Sequence, residues 1–151
     1  NEKKQKDVIW LDTSVANMDI EDWTPEVTSY DLYNGLSGLA IYFMNLDTAR
    51  KTDEHQQLIK IIINMLKAYI TAPNIKNGDF QSGLMTGMSG ILLTIFEYAH
   101  LYKSVEDELF VETHLNKLKE IIIGNNPIDY VGGNIGALAL MIKIIKKKYH
   151  Y

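Results

Sequence analysis

A four-residue pattern, Gly-x-x-Gly, occurs three times at almost even intervals, and this constrains the fold more than any other feature. Gly35-Leu-Ser-Gly38 returns as Gly87-Met-Ser-Gly90 and as Gly133-Asn-Ile-Gly136. A period of about fifty residues marks a supersecondary unit copied along the chain. Each copy leads into a strongly apolar run: Leu39 to Leu46, Ile91 to Tyr98 and Ala137 to Ile145. Such runs suit helices buried on every side. The segments between them are of another kind. From Glu106 to Ile123 the apolar positions Val111, Leu115, Leu118 and Ile122 step by helical spacing, while Glu112, Asn116, Lys117, Lys119 and Glu120 fall elsewhere. Glu54 to Ile70 reads the same way through Leu58, Ile62, Met65 and Tyr69, with a wider apolar arc. Alternating buried and half-wet helices predict an all-α fold in two layers, about two and a half helical hairpins long.

Punctuation along the chain fits this order. Residues 1–30 read as an irregular lead segment broken by Pro25, with Trp10 and Trp23 as anchors to a core, and no segment shows a strand alternation. Residues 31–151 hold the repeats. Ala72 to Asp79 reads as a loop, and Gly124-Asn-Asn-Pro127 ends the fourth helix with glycine followed by proline. The fifth helix starts near Ile135 and runs into Lys143 to Lys148, which reads as a solvated terminus suited to the negative end of the helix dipole.

Composition removes several classes of function. At 151 residues, 46% hydrophobic and 23% charged, the chain has the make-up of one globular domain that buries about 70% of its unfolded surface. A formal charge of −4 gives no reason to expect nucleic acid. No apolar run is long enough for a membrane span. With no cysteine, neither disulfides nor thiolate metal sites are available.

Few residues stand out as chemical candidates. Glycine at the mouth of each buried helix permits unusual backbone angles and close packing, so architecture is favoured over a phosphate-cradling loop, and no P-loop lysine accompanies it. If the units stack alike, three positive helix ends gather on one side, which is where a binding site is expected. Asp31 precedes Gly35 by four residues and Asp129 precedes Gly133 by four, while Gly83 holds that place in the second copy. An aspartate there serves as a local turn or cap acceptor, or as a carboxylate for proton transfer at the mouth of a helical cavity. The histidines at 55, 100, 114 and 150 show no metal-ligand spacing, and Ser37 and Ser89 lack the nucleophile-elbow context.

The strings Asp31-Leu-Tyr-Asn-Gly-Leu-Ser-Gly-Leu-Ala40, Gly87-Met-Ser-Gly-Ile91 and Asp129-Tyr-Val-Gly-Gly133 resemble the opening repeats of the lanthionine synthetase C-like cyclase family. The nearest likeness is to the carboxy-terminal cyclase domain of bifunctional class II lanthipeptide synthetases, and it covers the chain from about Trp23 onward. The resemblance implies an α/α toroid, an inner ring of helices within an outer ring. It also implies Michael-type addition of peptide cysteine thiols to dehydroalanine or dehydrobutyrine in a dehydrated precursor peptide, in the bacterial cytoplasm. The family's zinc, held by two cysteines and a histidine, activates the thiol. By its place in the third repeat Asp129 matches the family's active-site aspartate. This chain has no cysteine, so it reads as a fragment from the start of such a ring, with no cofactor or metal site of its own, inactive alone, and with zinc expected in the full-length parent. The inner helix left uncovered at its end is expected to make the piece sticky or homo-oligomeric. Two other readings stand beside this one. A non-catalytic helical-repeat module would bind peptide or protein along its inner surface. A different toroid enzyme, such as a carbohydrate-active one, would need paired carboxylates, for which Asp31 and Asp129 are the candidates.

Overall fold

The apolar run after each Gly-x-x-Gly forms a helix, and each amphipathic segment forms the helix that covers it. The computed structural model describes residues 10–17, 22–50, 52–73, 80–123 and 127–148. Its helices are α1 (Leu36–Ala49), α2 (Asp53–Thr71), α3 (Met88–Tyr102), α4 (Val105–Ile123) and α5 (Asn134–Lys148). Local chemistry sets their limits. Thr52 caps α2, its hydroxyl accepting from the His55 amide at 3.2 Å, with Asp53 and Glu54 placed at the positive end of the helix. Lys103 stops α3 by turning left-handed, at φ 55°. Ser104 and Asp107 then start α4 with reciprocal bonds: the Asp107 amide donates to the Ser104 hydroxyl, which donates to the Asp107 carboxylate.

Two layers result. α1, α3 and α5 pack side by side, α2 covers α1 and α3, and α4 covers α3 and α5. The middle helix is enclosed, with Met88, Ile91, Leu92, Ile95, Phe96 and Ala99 all buried. On α2 the buried residues are Ile59, Ile62, Ile63, Leu66 and Ile70, one position round from the stripe read in the sequence, because its arc is wide enough to allow either. The outer helices are tied by charge. Lys67 on α2 reaches Asp107 at 2.7 Å and Glu106 at 3.1 Å on α4. A polar knot joins α1 to α3 and α2 where Asp47, 2% exposed, accepts from the Tyr102 hydroxyl at 2.7 Å and from the Gln56 side-chain amide at 3.4 Å.

Three readings of the sequence need correction. The lead segment is not strand-free: β1 (Leu11–Asn17) and β2 (Asp22–Val27) pair antiparallel, with a bulge after Val15. They escaped notice because the described side chains of the hairpin offer no buried position to pattern; Leu11 and Val27, opposite one another, are both 69% exposed. Pro25 is tolerated since each strand of a two-stranded sheet has a free edge. Trp10 does anchor the lead, its ring 6.4 Å from that of Phe43 on α1, while the Trp23 side chain and the loops at 74–79 and 124–126 lie outside the described residues. The second correction concerns the lysines. Far from being simply solvated, Lys143 and Lys147 pair with Glu97 on α3 at 2.7 and 3.4 Å, and Lys148 pairs with Glu112 on α4 at 2.7 Å.

The third correction is partial: the close packing read from the glycines is borne out, the unusual backbone angles are not. No described glycine has a positive φ. What each Gly-x-x-Gly supplies is closeness, since both of its glycines pass against carbonyls of the loop just before them. A Cβ on Gly35 would lie 2.6 Å from the Ser29 carbonyl oxygen, one on Gly38 2.6 Å from that of Leu32, and one on Gly87 2.5 Å from that of Gln81. Gly90, Gly133 and Gly136 meet the carbonyls of Leu84, Pro127 and Tyr130 in the same way. Every one of these carbonyls lies six residues before its glycine. The loop is therefore wound over the first turn of its own helix, and only hydrogen fits between.

Two measurements check this account. Gly87→Ala forces a methyl group into the main-chain oxygen of Gln81 and is expected to destabilise the protein by about 3 kcal/mol in urea unfolding, well beyond the ordinary helix-propensity gain of alanine. Burial alone would raise the pKa of Glu97, but its bond to Lys143 and the charges of Lys143 and Lys147 outweigh that and hold it below the usual 4.5. Its ion pairs therefore stabilise the fold above pH 4.5, and that contribution is lost as the pH falls through the depressed value. Glu97→Gln is expected to reduce the fall in melting temperature on acidification over that range.

Candidate functional site

The three loops that open the inner helices lie together at one end of the layer, bonded to one another through their backbones. Within each loop the arrangement repeats. The first helical amide donates to the carbonyl seven residues earlier: Leu36 to Ser29 at 2.8 Å, Met88 to Gln81 at 2.8 Å, and Asn134 to Pro127 at 2.9 Å. Ser37 and Ser89, buried, send their hydroxyls back to the carbonyls of Tyr30 and Ser82. These serines are structural. In the third copy the place is taken by Ile135, which is 45% exposed.

Between loops the bonds run in one direction. The amides of Leu32 and Tyr33 in the first loop both donate to the Met85 carbonyl in the second, each at 3.0 Å. Met85 and Thr86 in turn donate to Val131 in the third, at 2.9 and 3.1 Å, joined by Gly83 to Gly132 at 2.9 Å and Leu84 to Tyr130 at 3.2 Å. Met85 and Val131 are equivalent residues of successive copies, so each loop lends its amides to the next. As a result the N-termini of α1, α3 and α5 face the same side, as expected from the repeat.

The two aspartates hold equivalent places in the outer two loops, with the second loop between them. Asp31 accepts from the amides of Tyr33 and Asn34, both at 3.0 Å, and from the Ser29 hydroxyl at 3.0 Å. Asp129, half-buried, accepts from the Gly132 amide at 2.8 Å through Oδ1. Both therefore act as turn acceptors that fold their own loop. The second copy has glycine there for a visible reason: a Cβ on Gly83 would run into the Val131 carbonyl and the Gly132 backbone. Glycine permits four inter-loop bonds at that junction, whereas the junction beside Asp31 has two. Nothing in the structure couples Asp31 to Asp129 as a catalytic pair.

A second feature lies on the free side of the inner helices. Leu32, Ile41, Met44, Leu93, Glu97 and Lys143 line an open groove crossing α1, α3 and α5. Asn45, Thr48 and His100 add polar groups to its apolar lining, and Glu97 and Lys143 form an ion pair in it at 2.7 Å. The sequence held a signal for it: Glu97 and Lys143 interrupt otherwise apolar inner helices. Reading those helices only as core passed over it.

The described residues bring together no zinc ligand set. The chain has no thiolate ligands, and among the described residues no three His, Asp or Glu side chains gather closely enough to hold a metal ion. His114 stacks on Phe110 with its Nδ1 2.8 Å from the Phe110 carbonyl, and His55 packs near Phe43. Among the described residues, no helix is long and apolar enough to cross a membrane.

Comparison with known proteins gives one match. The family model described as lanthionine synthetase C-like protein matches residues 26–151. No curated protein and no solved structure matches the chain.

The aspartate and the glycine of this loop position respond differently to substitution. Asp129→Asn keeps an oxygen acceptor for the Gly132 amide and is expected to leave stability within about 0.5 kcal/mol, while Asp129→Ala costs about 1 kcal/mol. Gly83→Ala, whose methyl meets main chain on the neighbouring loop, is expected to cost about 3 kcal/mol or more. Urea unfolding of the three variants measures the order.

Proposed function

The chain belongs to the lanthionine synthetase C-like family, and from that membership we propose that it forms the opening arc of an α/α-toroid cyclase domain of the class II lanthipeptide synthetase type. The complete domain adds the cysteine thiols of a dehydrated precursor peptide to dehydroalanine or dehydrobutyrine, closing thioether rings. The observation that carries this reading, beyond the match over residues 26–151, is the set of interlocked loops, which collects the helix N-termini and Asp129 on one side of the inner layer.

In this reaction a thiolate sulfur bonds the β-carbon of the dehydro residue, and the electron pair displaced onto the α-carbon takes up a proton. In this proposal we assign that proton transfer to Asp129, whose carboxylate takes up the thiol proton as the thiolate forms and returns it to the α-carbon. Its Oδ1 is held by the Gly132 amide, which fixes the carboxylate, and its Oδ2 has no hydrogen-bond partner among the described residues. The positive ends of the inner helices favour the negative charge that develops beside them. Thiol activation by zinc is the part of the chemistry for which these residues supply no ligand set. In this proposal it belongs to sequence outside the 151 residues, and the isolated chain is inactive.

The groove across α1, α3 and α5 favours a second reading, a non-catalytic helical-repeat module that holds a peptide or protein on its inner surface. Its apolar lining, with polar groups and the Glu97–Lys143 pair in it, suits an extended peptide with mixed side chains.

Ring closure is measured by mass spectrometry after alkylating free thiols of a dehydrated precursor peptide. The 151-residue chain is expected to leave every thiol alkylatable, with or without added zinc. The complete gene product is expected to protect them, to lose that activity with a chelator, and to slow by about a hundredfold with Asp129→Asn. An unchanged rate in that variant overturns the role given to Asp129. A gene product that binds the peptide but closes no ring establishes the binding module.

A further inference from the structure

Two positions recur beside the glycines of every loop, and the three copies use them differently. By the spacing of the motif, residues 29 and 34 of the first loop correspond to 81 and 86 of the second and to 127 and 132 of the third. In the first loop the side chains of Ser29 and Asn34 are bonded at 3.3 Å, and the Ser29 hydroxyl also donates to Asp31 Oδ2 at 3.0 Å. In the second, the Thr86 hydroxyl donates to Gln81 Oε1 at 3.0 Å. Position 83 is glycine, so this pair has no carboxylate of its own loop to serve. In the third, Pro127 and Gly132 have no side-chain donor at all. Among the described residues Asp129 is left with the Gly132 amide alone, on Oδ1.

The side-chain pair of the second loop serves the third loop instead. Gln81 and Thr86 stand against Gly132, where a Cβ would lie 2.8 Å from Gln81 Oε1 and 3.4 Å from Thr86 Oγ1. They fill the place that a side chain at 132 would take. The Thr86 hydroxyl is also 3.5 Å from the Val131 carbonyl oxygen, which accepts the Met85 and Thr86 amides at 2.9 and 3.1 Å. The peptide that joins Val131 to Gly132 is trans, so its carbonyl and its N–H point opposite ways. Drawing the carbonyl onto the second loop turns the N–H away from that loop, and it meets Asp129 Oδ1 at 2.8 Å. Donors on the carbonyl also polarise the peptide, which strengthens the bond on its far side.

We propose that Gln81 and Thr86 are positioning residues for Asp129: they brace Gly132 and hold the Val131–Gly132 peptide in the orientation that aims its N–H at the carboxylate. Neither touches the reacting atoms. The inference rests on the proton-transfer role proposed for Asp129 and adds the second loop to that site. Every contact in it lies within the chain, between the second and third copies. The glycine at 83 thus has a further consequence, since it leaves the second loop's polar pair available to its neighbour.

Ring closure by the complete gene product, with kcat and KM measured separately, tests the proposal. Thr86→Val keeps the shape and removes the hydroxyl, and Gln81→Ala removes the bracing side chain; both positions are exposed. Each is expected to lower kcat about fivefold, the worth of one ordinary hydrogen bond, with KM unchanged. Thr86→Ser, which keeps the hydroxyl, is expected to close rings at the natural rate. In an Asp129→Asn background neither Thr86→Val nor Gln81→Ala is expected to slow closure further, because the residue they act through is already lost. A loss that persists in that background is a general structural effect and overturns the proposal. So does full activity of Thr86→Val and Gln81→Ala beside a slow Asp129→Asn enzyme, and both of these results leave the role of Asp129 standing. An Asp129→Asn variant as fast as the natural sequence, or a gene product that closes no ring, overturns the role of Asp129 and this proposal together.

Discussion

The structure depends on a close approach between a loop carbonyl and the glycines of the helix that follows it. Each loop folds back over the first turn of its own inner helix, and six carbonyls, two per copy, lie where a Cβ would otherwise be. The same folding lets the first helical amide reach the carbonyl seven residues earlier, so one of the unpaired donors at the helix start is satisfied within the loop. Because the loop is flattened on the helix, its remaining amides point sideways to the next copy. A steric feature of single residues thus becomes a bonding pattern between repeats.

That pattern gives the layer a direction and a gradient of enclosure. α3, with a copy on either side and outer helices above it, buries nine of its fifteen residues, whereas α1 and α5 have one inner neighbour each. Repeat arrays behave as chains of such nearest-neighbour contacts, in which end units lack part of their stabilisation. The head end is partly covered by the hairpin through Trp10 on Phe43. The tail end is tied down by charge instead, since Lys143, Lys147 and Lys148 reach back to Glu97 and Glu112 on α3 and α4. These pairs are partly exposed, so their worth is modest and falls with added salt. Geometry and packing, not the ion pairs, set where α5 lies.

Much of this was legible in the sequence, and the parts that were not have physical reasons. The helices could be read because their burial imposes a period: α4 buries Val111 and Leu118 and half-buries Leu115 and Ile122, as its spacing predicts. The hairpin could not, because its described side chains are all exposed and display no alternation. The function of the glycines was half legible. Their recurrence marked close packing, but glycine suits both positive φ and steric contact, and only coordinates separate the two. The destination of the lysines was hidden for a similar reason: a run of like charge looks solvated until the glutamates opposite it, 36 or more residues away in sequence, are placed. Asp129 was found by its place in the motif, while its bond to Gly132 and the glycine at the equivalent position 83 needed the neighbouring loop to be seen.

The contrast between positions 31, 83 and 129 shows how one site in a repeat can serve two ends. With glycine the loop sinks onto its neighbour and makes four bonds; with aspartate the Cβ holds the neighbour off, two bonds remain, and the carboxylate stays to organise its own turn. A rigid junction and a retained carboxylate are therefore alternatives at this position. The chain uses the first in the middle of the layer, where α3 is locked in place, and the second at both sides of it. A carboxylate intended for chemistry has to keep an oxygen free of the fold's own demands, and Asp129 meets that condition more fully than Asp31. Asp31 receives bonds on both oxygens, from Tyr33 and Asn34 on Oδ1 and from Ser29 on Oδ2, whereas the partner of Asp129 among the described residues is the Gly132 amide on Oδ1 alone. Of two residues that the repeat makes equivalent, only Asp129 has a carboxylate oxygen without a hydrogen bond among the described residues.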